Sequence, residues 1–167
     1  MLPCNFSGNM GNSIIQYAIT RTVADKNGYE FGFNPTFNYD YHNGYNQLEF
    51  LDLDYGHVHN ASFHECPDGV DYVWYEKYET IKYDNGDIVD YHPLQLNVFA
   101  IPDGTKLVVR CMQDARYYDK TKLQNWIKIK KENQQKYCQQ LKNWGIELDE
   151  NLTVLNIRGG EYLGYGL

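Results

Sequence analysis

Gly8 and Gly11 stand three positions apart in Gly8-Asn9-Met10-Gly11-Asn12, directly ahead of an apolar-periodic stretch that begins at Ser13. Two glycines so spaced let the backbone turn tightly and come close to whatever faces it. Asn12 or Ser13 can then cap a helix over 13–27 whose apolar side is Ile15, Ala18, Ile19, Thr22 and Val23, closed by Gly28 as its C′ residue. A glycine-rich turn feeding a helix N-terminus presents unpaired N–H groups and a positive dipole, which suits an anion such as a phosphate. The same residues make an ordinary strand-to-helix turn with no ligand, and on this stretch alone that reading has the stronger claim.

A second chemistry-bearing group lies far along the chain, where Leu152 to Ile157 reads as a strand running into Arg158-Gly159-Gly160-Glu161-Tyr162. An arginine at the carboxyl end of a strand sits where open α/β sheets take ligands. Its guanidinium can hold a phosphate through two parallel hydrogen bonds. A turn in which Arg158 pairs with Glu161 accounts for the pattern equally well. A third group is His57, His59 and His64. Alternate histidines on a strand share a face and can ligate a metal, but they fall in a loop-like segment, where surface histidines are the commoner case.

The elements that must position these residues begin with Met1 to Phe6, a short strand that Pro3 places at an edge or entry position. Helix 13–27 and a second strand over Tyr29–Phe33 follow, and strand, glycine turn, helix, strand favours a parallel sheet. Residues 34–70 are rich in Asn, Asp, Gly and Tyr and read as irregular, with one apolar piece at Leu48 to Leu53. Short strands are expected at Val70–Tyr75 and Gly86–Val89, with Asp84-Asn85-Gly86 as the turn between them. After the turn Pro102-Asp103-Gly104 comes a buried strand over Lys106–Met112. Asp119 can cap a helix with a Leu123, Trp126 and Ile127 stripe. A break near Lys128 to Glu132 separates it from a helix that carries Tyr137, Leu141 and Trp144 and stops at Gly145.

At 167 residues the chain suffices for one domain with a real core. Its 15 Lys and Arg against 22 Asp and Glu leave a net charge of −7 and no basic stripe to neutralise a phosphate backbone, so no nucleic-acid partner is expected. Sixteen tyrosines offer flat apolar faces with hydroxyls, equally suited to sugars and to half-buried strands. Cys4, Cys66, Cys111 and Cys138 show no paired spacing, which is reduced cysteine usage rather than a disulfide framework or zinc site. Met1 to Asn5 lacks the basic and apolar parts of a secretory leader, and no apolar run reaches membrane-spanning length. A cytoplasmic location without a membrane span is the expectation, and the sequons at Asn5, Asn60 and Asn151 then carry little weight.

Taken together, these segments resemble the N-terminal half of the fucosyltransferases of glycosyltransferase family 11. That family opens on a Gly-Gly-Leu-Gly-Asn-Gln-Met-Phe-Gln-Tyr loop and helix, and Gly8-Asn9-Met10-Gly11-Asn12-Ser13-Ile14-Ile15-Gln16-Tyr17 stands here in the same register. Its aromatic-Gln-Ser-Glu-Lys-Tyr-Phe segment is similar to Met112-Gln113-Asp114-Ala115-Arg116-Tyr117-Tyr118. Its His-Ile-Arg-Arg-Gly-Asp-Tyr motif is similar to Asn156-Ile157-Arg158-Gly159-Gly160-Glu161-Tyr162, with the histidine, second arginine and aspartate replaced.

The resemblance covers nearly the whole chain and implies an α/β fold. Residues 1–167 would form one domain, the Rossmann-like, acceptor-side half of a GT-B-type glycosyltransferase, with a mostly parallel sheet flanked by helices. It implies inverting fucose transfer from GDP-fucose to a glycan hydroxyl, with no metal and no cofactor beyond that donor. Arg158 would be the catalytic cation, balancing charge on the departing β-phosphate. Gly8, Gly11, Asn12 and Glu161 would join it in holding the donor. No residue stands out as general base for the acceptor. Family members are about twice a small domain in length, so a chain ending soon after 158–162 is expected to be a fragment, to be completed by a separate chain, or to be a non-catalytic glycan- or nucleotide-binding remnant.

Overall fold

A computed structural model of the chain describes residues 1–6, 10–35, 48–62, 64–86, 88–109 and 112–147. It has two compact units, Met1–Lys130 and Lys131–Leu167. The first holds β1 (Leu2–Cys4), α1 (Met10–Asn27), β2 (Phe31–Phe33), β3 (Leu51–Asp52), β4 (Tyr72–Tyr75), β5 (Glu79–Lys82), β6 (Ile88–Tyr91), β7 (Thr105–Val108), α2 (Lys120–Trp126) and β8 (Lys128–Ile129). The described part of the second is α3 (Lys131–Asn143) and the residues up to 147, and α3 buries none of its side chains.

Among the described residues, β2, β1, β7 and β4 lie in that order in one parallel sheet. This is a mixed α/β fold with a parallel sheet flanked by helices, a Rossmann-like architecture of generic kind. Both crossovers, β1 to β2 and β4 to β7, step across the sheet in the same direction. For parallel strands of constant handedness this puts them on one face. Accordingly Asn27 at the end of α1 donates to the Phe99 carbonyl, 3.3 Å away, in the 3-10 turn Leu96–Ala100 that precedes β7. Two antiparallel pairs are described beside the sheet: β5 with β6, with a turn at 84–86, and β3 with β8.

Of the edge or entry position expected for Pro3, the edge is not what forms: β1 is an interior strand with Pro3 as its second residue, paired with β2 at Leu2↔Phe31, Pro3↔Gly32 and Cys4↔Phe33. The reason lies in the alternation of backbone groups. Leu2 N–H donates to Glu30 O at 2.7 Å on the β2 side, so the Pro3 nitrogen points toward β7. The described ladder on that side consists of Cys4↔Leu107 alone, and the missing donor is tolerated where the pairing is already sparse.

The helix expected over 13–27 starts three residues earlier, at Met10. Asn12 and Ser13 therefore lie inside its first turn and are not its caps, and Gly11 stands in the helix, where nothing lies within 4 Å of an added Cβ. At the other end Gly28 has φ +69° and Tyr29 N–H reaches Ala24 O at 2.9 Å, a Schellman closure of the expected kind. The apolar stripe predicted for this helix is only part of what it buries. Ser13, Gln16, Tyr17, Thr20 and Thr22 are buried with Ala18, Ile19 and Val23. The threonine hydroxyls are satisfied by donating to the carbonyls of Gln16 and Ala18, each at 2.8 Å.

Two further expectations are corrected. The Asp84-Asn85-Gly86 turn does join two strands, but they are β5 and β6. The tyrosine-rich Tyr72–Tyr75 stretch is instead the edge strand of the parallel sheet, in register with Thr105–Val108. The strand expected over 106–112 is the shorter β7. The apolar piece at Leu48 to Leu53 buries Leu48, Leu51 and Leu53 in the core, and Asp119 caps α2 as expected, accepting from Thr121 and Lys122 N–H at 3.1 Å. The strand expected over 152–157 lies outside the described residues.

The face of β1 and β7 that carries Cys4 and Leu107 takes α1, and Cys4 lies against Thr20. Burial there pushes the Cys4 thiol up to about 11. On the opposite face the buried Lys106 ammonium donates to the Ser62 and Glu65 carbonyls, and desolvation lowers its pKa. Gly32 is crossed there by the 55–59 segment, so that a Cβ would stand 2.3 Å from the His57 carbonyl oxygen. Gly32→Ala is expected to destabilise the fold by about 1–3 kcal/mol, read as a lower urea midpoint at unchanged slope.

Candidate functional site at the carboxyl edge of the sheet

In parallel α/β sheets the ends of the strands and the loops beyond them form the ligand-binding edge. Here that edge is lined, in spatial order, by Asn34 after β2, Asn5 after β1, Val109 after β7 and Glu76 after β4. It has two differently built halves.

The β2–β1 half is covered. Asn5 and Asn34 both donate their side-chain amides to the Ala61 carbonyl, at 2.9 and 3.0 Å. The 55–59 segment pairs alongside β2 through His57 N–H to Phe31 O and His59 N–H to Phe33 O. This arrangement places the three histidines. His57 is exposed beside Glu30 at 3.2 Å, His59 is half-buried with its pKa lowered by desolvation, and His64 is exposed. Among the described residues no group of three His, Cys, Asp or Glu side chains converges as a metal site would, so these histidines make no ligand set.

At the centre of the edge, α1 begins over the end of β1. The amides of Met10, Gly11 and Asn12 have no acceptor within the helix. Met10 and Gly11 are exposed and Asn12 is half-buried. The helix is fixed by Gln16, whose buried amide donates to the Val109 carbonyl at 2.9 Å, tying the first two turns to the end of β7. Gly11 and Asn12 are thus at the carboxyl edge, where an anion-binding turn belongs. Gly8, Arg158 and Glu161 lie outside the described residues.

The β7–β4 half joins the 112–118 segment to Glu76, Gln95 and His92, which sequence patterning did not single out. Glu76 N–H donates to Val108 O at 3.0 Å, extending the β4–β7 ladder by one residue. The next residue, Lys77, is gripped on both backbone groups by the Gln95 side chain, at 3.0 and 2.8 Å, and Gln95 N–H donates to the Tyr117 hydroxyl. With its backbone so held, the Glu76 side chain is 2% exposed, and its Oε1 lies 3.2 Å from Nδ1 of His92, which is one-third exposed. Tyr78 lies against the imidazole, ring centroids 6.0 Å apart. Tyr117 and Tyr118 complete the surroundings. Burial raises both phenol pKa values, and the nearby Glu76 carboxylate adds to the effect.

Both tyrosines belong to the 112–118 segment that follows β7. Met112 and Tyr117 are buried, Gln113 is exposed, and the Tyr118 hydroxyl donates to Met112 O. Asp114 caps the 3-10 turn Ala115–Tyr117 through Arg116 N–H and takes the Arg116 guanidinium on both oxygens, at 2.9 and 2.7 Å. That bidentate pair lowers the Asp114 carboxyl to about 2. In the second unit a cavity of about 590 Å³ is bordered by Cys138, Lys142, Gly145, Ile146 and Glu147.

No protein-family model, curated protein or solved structure matches the chain. No helix among the described residues is long and apolar enough to cross a membrane.

Gln16→Leu strands the buried Val109 carbonyl, and a loss of about 1–3 kcal/mol is expected from urea unfolding. For Asp114, whose folded pKa lies below its unfolded one, the pairing contribution is present above about pH 4 and is lost as pH falls toward 2. Carboxyl NMR titration should give a midpoint near 2 in the native protein, returning to the ordinary aspartate range in Arg116→Gln.

Proposed function

We propose that the chain is a fucosyltransferase-like glycosyltransferase domain that binds GDP-fucose and transfers fucose, with inversion, to a glycan hydroxyl. The observation that carries this reading is the occurrence, in one order, of the three segments that resemble glycosyltransferase family 11: 8–17, 112–118 and 156–162. The described parts of the first two, 10–17 and 112–118, lie near the carboxyl ends of parallel strands, where open α/β sheets take ligands, which supports this reading. In this reading the Gly11 backbone and Asn12 lie against the donor diphosphate, with Gly8 allowing close approach and the helix dipole assisting. Arg158 neutralises charge gathering on the β-phosphate as the bond to fucose breaks, and Glu161 orients it. The acidic surface, with a net charge of −7, makes local cations of this kind necessary for any diphosphate ligand.

A second reading, a glycan- or nucleotide-binding domain without turnover, is favoured by Gly159 standing where the family motif has its second arginine. The two separate in one pair of measurements. With GDP-fucose and a galactose-terminated acceptor, the native protein is expected to release GDP, and Arg158→Ala to lower that rate by about 10²–10³-fold. Calorimetric binding of GDP-fucose without GDP release establishes the second reading, and absence of both binding and release overturns both.

A further inference from the structure

We infer that Glu76 and His92 form the base dyad that takes the proton from the acceptor hydroxyl, an assignment that rests on the sugar-transfer reading above. Sequence patterning found no residue for this role. The geometry points to these two because they divide the task as catalytic carboxylate–imidazole pairs do. The carboxylate is buried, 2% exposed, and rigidly mounted, while the imidazole it touches at 3.2 Å is one-third exposed. The 3.2 Å approach is an ion-pair contact without hydrogen-bond geometry, and the carboxylate's charge beside Nδ1 favours the proton on that nitrogen, leaving the Nε2 lone pair as the basic site.

Its location fits the reaction. Glu76 follows β4 and α1 begins beyond β1, with β7 between them. Two strand spacings put the two ends about 10 Å apart along the edge, a span that accommodates a hexose between a diphosphate and a base. The residues next to the dyad in the chain are exposed tyrosines: Tyr75 at 61%, Tyr78 at 57% and Tyr91 at 49%. Such rings offer flat apolar faces to sugar rings and hydroxyls to their edges.

In the step itself, Nε2 of His92 takes the acceptor O–H proton while that oxygen forms its bond to C1 of the fucose. The C1–oxygen bond to the β-phosphate breaks, and its electron pair leaves with GDP. The products are the fucoside, GDP and an imidazolium paired with Glu76, which then returns its proton to solvent. Among the described residues, the charged and titratable groups around the dyad include Tyr78 against the imidazole, Lys77 beside Glu76 in the chain, and Tyr117 and Tyr118, which sense both Glu76 and Asp114; Asp114 is itself bound to Arg116. His92 is therefore assigned as a catalytic residue and Glu76 as its positioning residue.

The test uses transfer from GDP-fucose to a galactose-terminated acceptor, with donor binding measured in parallel by calorimetry. His92→Gln is expected to lower kcat by about 10²–10³-fold while changing GDP-fucose affinity less than about twofold. Added imidazole should restore transfer to His92→Ala, which a purely structural role does not allow. Glu76→Gln, which removes the charge beside Nδ1, should reduce the Nδ1–H tautomer in the His92 nitrogen NMR spectrum. Native transfer that His92→Gln leaves unchanged overturns the dyad and spares the sugar-transfer reading. A native protein that neither binds nor turns over GDP-fucose overturns both, and an Nε2–H tautomer in the native spectrum overturns the dyad irrespective of turnover.

Discussion

The seam between β1 and β7 has to be held with little help from the backbone. β1 carries a proline on that side, and the described ladder there is Cys4↔Leu107, whereas β7 and β4 share four register pairs. What joins the two halves of the sheet is side-chain matter: Leu2, Cys4 and Leu107 packed in one core, and the Gln16 amide reaching from α1 to Val109 O. Because the strand ends carry the candidate site, the same few contacts set where the start of α1 stands relative to β7 and β4.

That edge is asymmetric for a physical reason. On the β2–β1 side, polar groups that strand ends leave open are used on the protein itself: two asparagines on one carbonyl, and two histidine amides on β2. On the β7–β4 side the backbone is held equally firmly, by Gln95 on Lys77 and by Val108 on Glu76, yet the imidazole that meets Glu76 remains accessible.

Local chemistry made some of the fold legible in the sequence and left the rest hidden. The first strand–helix–strand unit, Gly28 at its helix end, the Asp119 cap, and the Gly86 and Gly104 turns, with φ of +91° and +74°, all depend on neighbours within a few residues. Strands of two residues such as β3 and β8 exist because they meet each other, and nothing in Lys128-Ile129 announces a partner at Leu51-Asp52. The interior place of Pro3 required knowing which side of β1 faces β7. Of the candidate site, Gly11 and Asn12 were visible because glycine and a capping residue ahead of an apolar period form a pattern. Glu76 and His92 were not, since sixteen positions of hairpin separate them and the carboxylate's burial depends on Gln95 and Tyr117. Gly8, Arg158 and Glu161 fall outside the described residues.

The strand order has a consequence for the nascent chain. Cys4 meets its β7 neighbour at Leu107, so as residues are added one by one the sheet's interior strand waits for about a hundred more before its second edge is covered. Until then α1 and β2 can shelter one side of Leu2 and Phe6, while the other stays open to whatever strand or chaperone meets it first. Of the four strands described in this sheet, the one that comes first in the sequence therefore depends for its second neighbour on a contact of high sequence separation, a kind that slows folding.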